Sequence, residues 1–310
     1  MAELISMRKA YGNALVSLGK AREDVVVLSA DVANSDHSYM FEEQFPERFF
    51  NVGIAEQSLV DVGVGFAKAG KVPFLNTFSF LFATRAIEMI RTHLCYGRTN
   101  VKLMGAYGGL SDSFDGPTHH SITDIAILRS LPYMTVVAPS DTVAVEKLIP
   151  KIAEWDGPVF CRLCRNEVPT MYDKNTDFTI GKAHTMKDGK DVTLITTGVM
   201  LERTMQAAEQ LSKEGIDARV IDMITIKPID KEIIQKAAEE TGGIVTIEEH
   251  SIVGGLGGAV AEVVTDAKPV NVYKAGVPDK FAETGPYNDL LDTYGLSIND
   301  IVSKAKKAVS

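Results

Sequence analysis

The chain has 310 residues, 45% of them hydrophobic and 24% charged, which is length and composition for two compact domains with a sizeable core. A net charge of -9 argues against a nucleic-acid or anionic-membrane partner, since such surfaces are held by clustered Lys and Arg; any anionic ligand has to be met by locally placed arginines. No apolar run reaches the length of a membrane span, and the opening MAELISMRKAYGNALVSLGK reads as an amphipathic helix rather than a secretory signal, so the expected location is cytoplasmic.

In chain order, β-rich apolar runs of strand length recur as VVVLSA, RFFNV, VPFLNT, NVKLMGAY, MTVVAPS and PVFCRLC. Most are separated by segments of helical period, such as AEQSLVDVGVGFAKAG, FATRAIEMIRTHLCY and TVAVEKLIPKIAEW. Apolar strands alternating with helices predict an α/β unit, a parallel sheet covered on both faces. In PVFCRLCR, Cys161 and Cys164 form a CxxC, yet strand alternation sends them to opposite faces, so buried thiols are expected rather than a redox or metal pair. The periodicity fades between about Asn166 and Lys190 into a polar, turn-rich stretch, then resumes in DVTLITTG, ARVIDMITI, GIVTIEEH and VNVYKAGV. The expected organisation is a first domain over 1–170, a linker over 171–190 and a smaller α/β domain over 191–310. In SIND, Ser297 and Asp300 have capping-box spacing for the last helix.

Ligands of open parallel sheets bind beyond the carboxyl ends of the strands, where loops converge and helix N-termini point. Asp31 ends VVVLSAD with Ser35 just after it, Glu56 follows FFNVGIA, Phe78 ends VPFLNTF, and Arg165 ends PVFCRLCR. Glu56 stands in a small-residue apolar helix that reads as buried, where a carboxyl is costly unless paired, protonated or at the helix N-terminus. The loop GGLSDSFDGPTHH follows NVKLMGAY; its glycines and Pro117 shape a long connection in which Asp115 and His119, four apart, can face one ligand across a turn. His120 is expected to cap or to face solvent.

RFFNVGIAEQ, TFSFLFATRA, DGPTHH, LRSLPYMTVVAPSD and IEEHSIVGGLGGAVAE together resemble the carboxyl-terminal two-thirds of a transketolase. The resemblance covers nearly the whole chain and implies a pyrimidine-binding domain followed by a transketolase C-terminal domain, as in the small subunit of a split transketolase. It implies thiamine diphosphate as cofactor, with Glu56 hydrogen-bonding the aminopyrimidine, Phe78 stacking on it, and Asp115 and His119 contacting sugar hydroxyls near the reacting carbons. Arg8, Ser35 and Arg165 match positions that bind the substrate phosphate, and Asp31 a substrate-pocket carboxylate. Tyr107 stands where many transketolases have histidine, and Leu81 and Thr84 replace aromatic residues, a gap that Phe82 is expected to fill.

The Gly-Asp-Gly motif with a downstream Asn, which in this family holds Mg²⁺ (or Ca²⁺) and the diphosphate, is not found here. GGLGGA at 254–259 lacks the GxGxxG spacing of a dinucleotide site. The expected partners are therefore sugar phosphates and an N-terminal transketolase subunit supplying that motif in a two-fold hetero-oligomer, a heterotetramer, with no metal ligands from this chain. A 1-deoxy-xylulose-5-phosphate synthase-like enzyme, a 2-oxoacid dehydrogenase beta-subunit-like enzyme and a non-catalytic regulatory relative remain open alternatives.

Overall fold

The structure, a computed structural model, describes residues 4–309, so the outermost residues of the two expected domains lie outside it. In chain order the strands are β1 Leu4–Ser6, β2 Val25–Ser29, β3 Phe49–Asn51, β4 Val72–Phe78, β5 Lys102–Ala106, β6 Thr135–Val137 and β7 Val159–Arg162. They continue as β8 Glu167–Pro169, β9 His184–Lys187, β10 Val192–Thr196, β11 Ala218–Asp222, β12 Thr225–Lys227, β13 Ile244–Ser251 and β14 Val272–Val277.

The first sheet has the order β12-β6-β7-β5-β4-β2-β3 and is parallel except at its β12 edge. Every residue of β2, β5 and β7 is buried, because helices cover both faces. Alternation along β2 divides the packing: Val25 and Val27 meet the helices Met7–Ala21 and Thr142–Glu154, whereas Val26 and Leu28 meet Glu56–Lys68 and the helical segment after β4. The second sheet, β14-β13-β10-β11-β9, is parallel except at β9. Its last helix, Ile298–Val309, carries the expected capping box: the Asp300 amide donates to Ser297 Oγ and the Ser297 amide to Asp300 Oδ2.

Several short elements depart from the sequence reading. β9 lies within the stretch expected to be a linker, and β1 pairs antiparallel with β8. ARVIDMITI is two strands: after β11 the chain crosses to the first sheet, where β12 pairs with β6 and stitches the two units together. The helix Glu56–Lys68 is not buried all round; Glu56, Leu59, Val60 and Gly63 face inward while Val62 is 40% exposed. Cys161 and Cys164 are free and buried, but in one core cluster, because β7 ends at Arg162 and alternation stops there. Burial pushes both thiols up, away from the reactive thiolate.

The glycine run in GGLGGA has a structural use. Glu248 accepts hydrogen bonds from the amides of Leu256 at 2.6 Å and Gly257 at 2.8 Å, at the start of the helix Leu256–Asp266. A Cβ at Gly255 would stand 2.0 Å from Glu248 Oε2. The helix N-terminus is thus filled by the protein's own carboxylate instead of a ligand phosphate.

Candidate active site

A cleft of about 480 Å³ opens at the carboxyl edge of the first sheet. Asp31 and Ser35 reach it from β2, Glu56 from beyond β3, Phe78 from the end of β4, and His119 from the loop after β5. Asp31 and Tyr107, just beyond β2 and β5, hold left-handed backbone angles, φ 63° and 59°, that side chains other than glycine rarely adopt. Such strain persists only where surrounding contacts enforce it, and here it turns two side chains at the site. A larger cavity of about 710 Å³ lies between the two units near Asn166, Arg203 and Tyr287; none of the candidate site residues lines it.

Glu56 is the first residue of its helix and 1% exposed. Its two carboxylate oxygens accept from Arg85 Nη1, at 3.1 and 3.4 Å. Phe78 stacks on Tyr107, centroids 4.8 Å apart and rings 22° from parallel, and His119 presents its ring edge-on to Phe78 and Phe80. Phe82 requires a correction. It is fully buried in the core among Leu59, Ile90 and Phe160 and does not line the cleft. Phe78 is still extended (ψ 142°) and helical register starts at Ser79, so Phe78 and Phe82 do not share a helix face. Phe80 and Leu81 line the cleft instead, whereas the exposed Thr84 donates its hydroxyl to the Phe80 carbonyl.

Tyr107 joins this aromatic wall to the arginines. Its hydroxyl donates to the Ser35 carbonyl at 3.2 Å; Arg8 Nη1 donates to that carbonyl at 2.9 Å and to the Tyr107 hydroxyl at 3.3 Å. The guanidinium carbons of Arg8 and Arg165 stand 5.7 and 5.0 Å from the Tyr107 ring centroid, within cation–π range. Arg8 Nε is buried without a hydrogen-bond partner among the described residues. Arg165 Nη1 donates to Asp112 at 2.5 Å and lies 3.9 Å from Asp115. Asp112 is fully buried, and burial, then its neighbour Asp115, pushes its carboxyl up to about 6. Sequence reasoning missed Asp112 and Arg85; Asp112 three residues before Asp115 in a glycine-flanked loop was the available signal. His120 neither caps nor faces solvent: it is 7% exposed with both ring nitrogens unpartnered, and burial pulls its pKa down.

The second unit fixes the loop that carries Asp115 and His119. Glu249 accepts from the Leu110 amide at 2.6 Å, Arg162 Nη2 donates to the carbonyls of Ser121 and Glu249, and the Gly285 amide donates to the Ser113 carbonyl. Gly109 has φ +67°, and a Cβ there would stand 2.3 Å from the Glu249 carboxyl carbon, so glycine is required. Burial pushes Glu249 up to about 7. A carboxyl raised in the folded state contributes stability that is complete below the unfolded value, about 4.3, and is lost as pH rises through about 7. Glu249→Gln keeps the acceptor for Leu110 and removes the titration. The fall in melting temperature between pH 5 and pH 8 is therefore expected to be smaller in this variant by a few degrees, corresponding to roughly 3 kcal/mol at most. Equal falls in parent and variant would show that Glu249 does not titrate in this window.

Comparison with known proteins gives the family. The pattern of the transketolase pyrimidine binding domain matches residues 3–171 and that of the transketolase C-terminal domain matches residues 181–301. The chain belongs to the transketolase family, which depends on thiamine diphosphate. It is 38% identical over 307 residues to one of the subunits of the apulose-4-phosphate transketolase of Phocaeicola vulgatus, covering 99% of this chain and 98% of that one. It is 36% identical over 299 residues to the 6-deoxy-6-sulfo-D-fructose transketolase subunit SqwH of Clostridium sp. strain MSTE9, covering 96% and 93%. A solved structure of a split gene transketolase, an inactive beta4 tetramer, is 44% identical, with a TM-score of 0.92 and 98% of each chain covered. No helix among the described residues is long and apolar enough to cross a membrane.

Proposed function

We propose that this chain is one subunit of a two-polypeptide transketolase that moves a two-carbon ketol unit between phosphorylated ketose and aldose sugars. The observation that carries the reading is Glu56, a buried carboxyl at the floor of a cleft walled by Phe78 and His119. That set fits the aminopyrimidine end of thiamine diphosphate: one carboxyl for a ring nitrogen and an aromatic face for the ring. Among the described residues, no group of three or more His, Cys, Asp or Glu gathers to hold a metal ion. We assign the diphosphate and its Mg²⁺ or Ca²⁺ to a Gly-Asp-Gly-bearing partner, a reading supported by the relatives named as subunits and by the split-gene neighbour.

When bound, thiamine diphosphate supplies the nucleophilic carbon that takes up and releases the ketol unit. Glu56 holds a proton at the ring nitrogen and so sets the tautomer of the aminopyrimidine. Phe78 fixes the plane of the ring. His119 and Asp115 orient sugar hydroxyls near the reacting carbons, with Asp31 at the pocket rim. Arg8, Ser35 and Arg165 hold the phosphate through charge-assisted and neutral hydrogen bonds. Because Arg165 is already paired with Asp112, Arg8 carries the less compensated charge. The two relatives named for different sugars leave the donor and acceptor open. The test is ketol transfer from a ketose phosphate to an aldose phosphate: activity is expected when the chain is mixed with the Gly-Asp-Gly-bearing subunit, and none with either alone. Undiminished transfer by this chain alone would refute the division.

A further inference from the structure

Arg85 is the one charged side chain in the cleft to which the proposed chemistry gives no role. It follows the short helix Ser79–Thr84, lines the cleft beside Glu56, and among the described residues makes its side-chain hydrogen bonds to Glu56 alone. The pair is lopsided. The Glu56 side chain is 1% exposed and the Arg85 side chain 54% exposed. Contact is through a single nitrogen, Nη1, reaching both oxygens, rather than through the two-nitrogen fork that makes arginine–carboxylate pairs strong.

This asymmetry decides what a ligand meets. A carboxylate sunk in the floor of the cleft is costly without a partner, so something has to satisfy it whenever no ligand is bound. A half-exposed guanidinium, by contrast, loses little on release, because water takes over its donors. A ring nitrogen or ring amino group seeking Glu56 needs the carboxylate oxygens that Arg85 Nη1 now holds.

We infer that Arg85 is a displaceable counter-ion for Glu56. It satisfies and aligns the carboxyl in the cofactor-free chain and is released to solvent when an aminopyrimidine takes its place. The inference rests on the proposed reading of Glu56 and adds a positioning residue that works against ligand affinity while it preserves the site.

Two measurements on the full chain test it. The first is a double-mutant cycle by chemical denaturation. Arg85→Gln is expected to destabilise the parent and to have little effect in an E56Q background; equal destabilisation in both backgrounds would overturn the pairing role. The second titrates 4-amino-5-hydroxymethyl-2-methylpyrimidine, the ring without the diphosphate, followed by NMR so that millimolar affinity is readable. R85Q is expected to bind about three- to tenfold more tightly than the parent, as loss of a competing pair of about 1 kcal/mol implies. R85K, which keeps the charge, is expected to stay near the parent, and E56Q to bind more weakly. A site residue that only supported the fold would weaken binding when removed. If the parent binds and R85Q binds no more tightly, the counter-ion role is refuted while the pyrimidine reading stands. If neither binds, both are refuted.

Discussion

Glu56→Gln is expected to give a folded subunit whose complex with partner and cofactor exchanges the C2 proton of thiamine diphosphate about 10²–10⁴ times more slowly than the parent, the range of positioned acid–base groups. Folding survives because glutamine has the same shape and removes a buried charge instead of creating one. The group left behind, Arg85, is 54% exposed and can turn to water. The chemistry suffers because an amide lacks the proton that a carboxyl shares with the ring nitrogen. Deuterium exchange at C2, followed by NMR, reads this step apart from sugar binding. An exchange rate within about threefold of the parent would remove Glu56 from its proposed role.

Arg165→Ala is expected to raise KM for phosphorylated sugars by about 10- to 100-fold and to leave unphosphorylated analogues nearly unchanged, since a hydrogen bond to a charged group contributes roughly 1.5–3 kcal/mol. The lower end is expected, because Arg165 is already paired with Asp112. Removing the arginine also removes the cation that draws the Asp112 carboxyl down, against burial and Asp115, which push it up. Asp112 then takes a proton more readily instead of standing as a bare buried charge, and the loop keeps its fold. KM measured for a ketose phosphate and for the free ketose separates the outcomes. An equal rise in both would assign Arg165 to holding the loop through Asp112 and not to the phosphate.

The parallel sheets were legible because β2, β5 and β7 are buried along their whole length and carry the β-branched and apolar runs that such burial requires. β1, β8, β9 and β12 were not. Each has three or four residues, and each pairs with a strand far away in the chain or across the two units, so no local period marks it. In the site, the strand-end rule led to Asp31, Ser35, Glu56, Phe78 and His119, which line one cleft, and to Arg165; Arg8, implied only by the family resemblance, faces the same Tyr107 ring as Arg165. It could not find Arg85, which in FATRAIEMIR reads as an ordinary exposed helix charge and is bound to Glu56 only by the fold. Nor could it find Glu249, whose hold on the Leu110 amide spans the two units. Phe82 went astray for a local reason, the change from strand to helix between Phe78 and Ser79.

The most direct measurement of the central claim, a cofactor site divided between two polypeptides, is calorimetric titration of thiamine diphosphate with and without Mg²⁺. On the proposed reading, an aromatic face and one carboxyl on this chain hold only the ring, and a partner is expected to bring the oxygen ligands and donors that the diphosphate and metal need. The isolated chain is therefore expected to show weak, metal-independent uptake, and the chain reconstituted with a Gly-Asp-Gly-bearing partner tight, Mg²⁺-dependent binding. Tight, Mg²⁺-dependent binding by this chain alone would contradict the account.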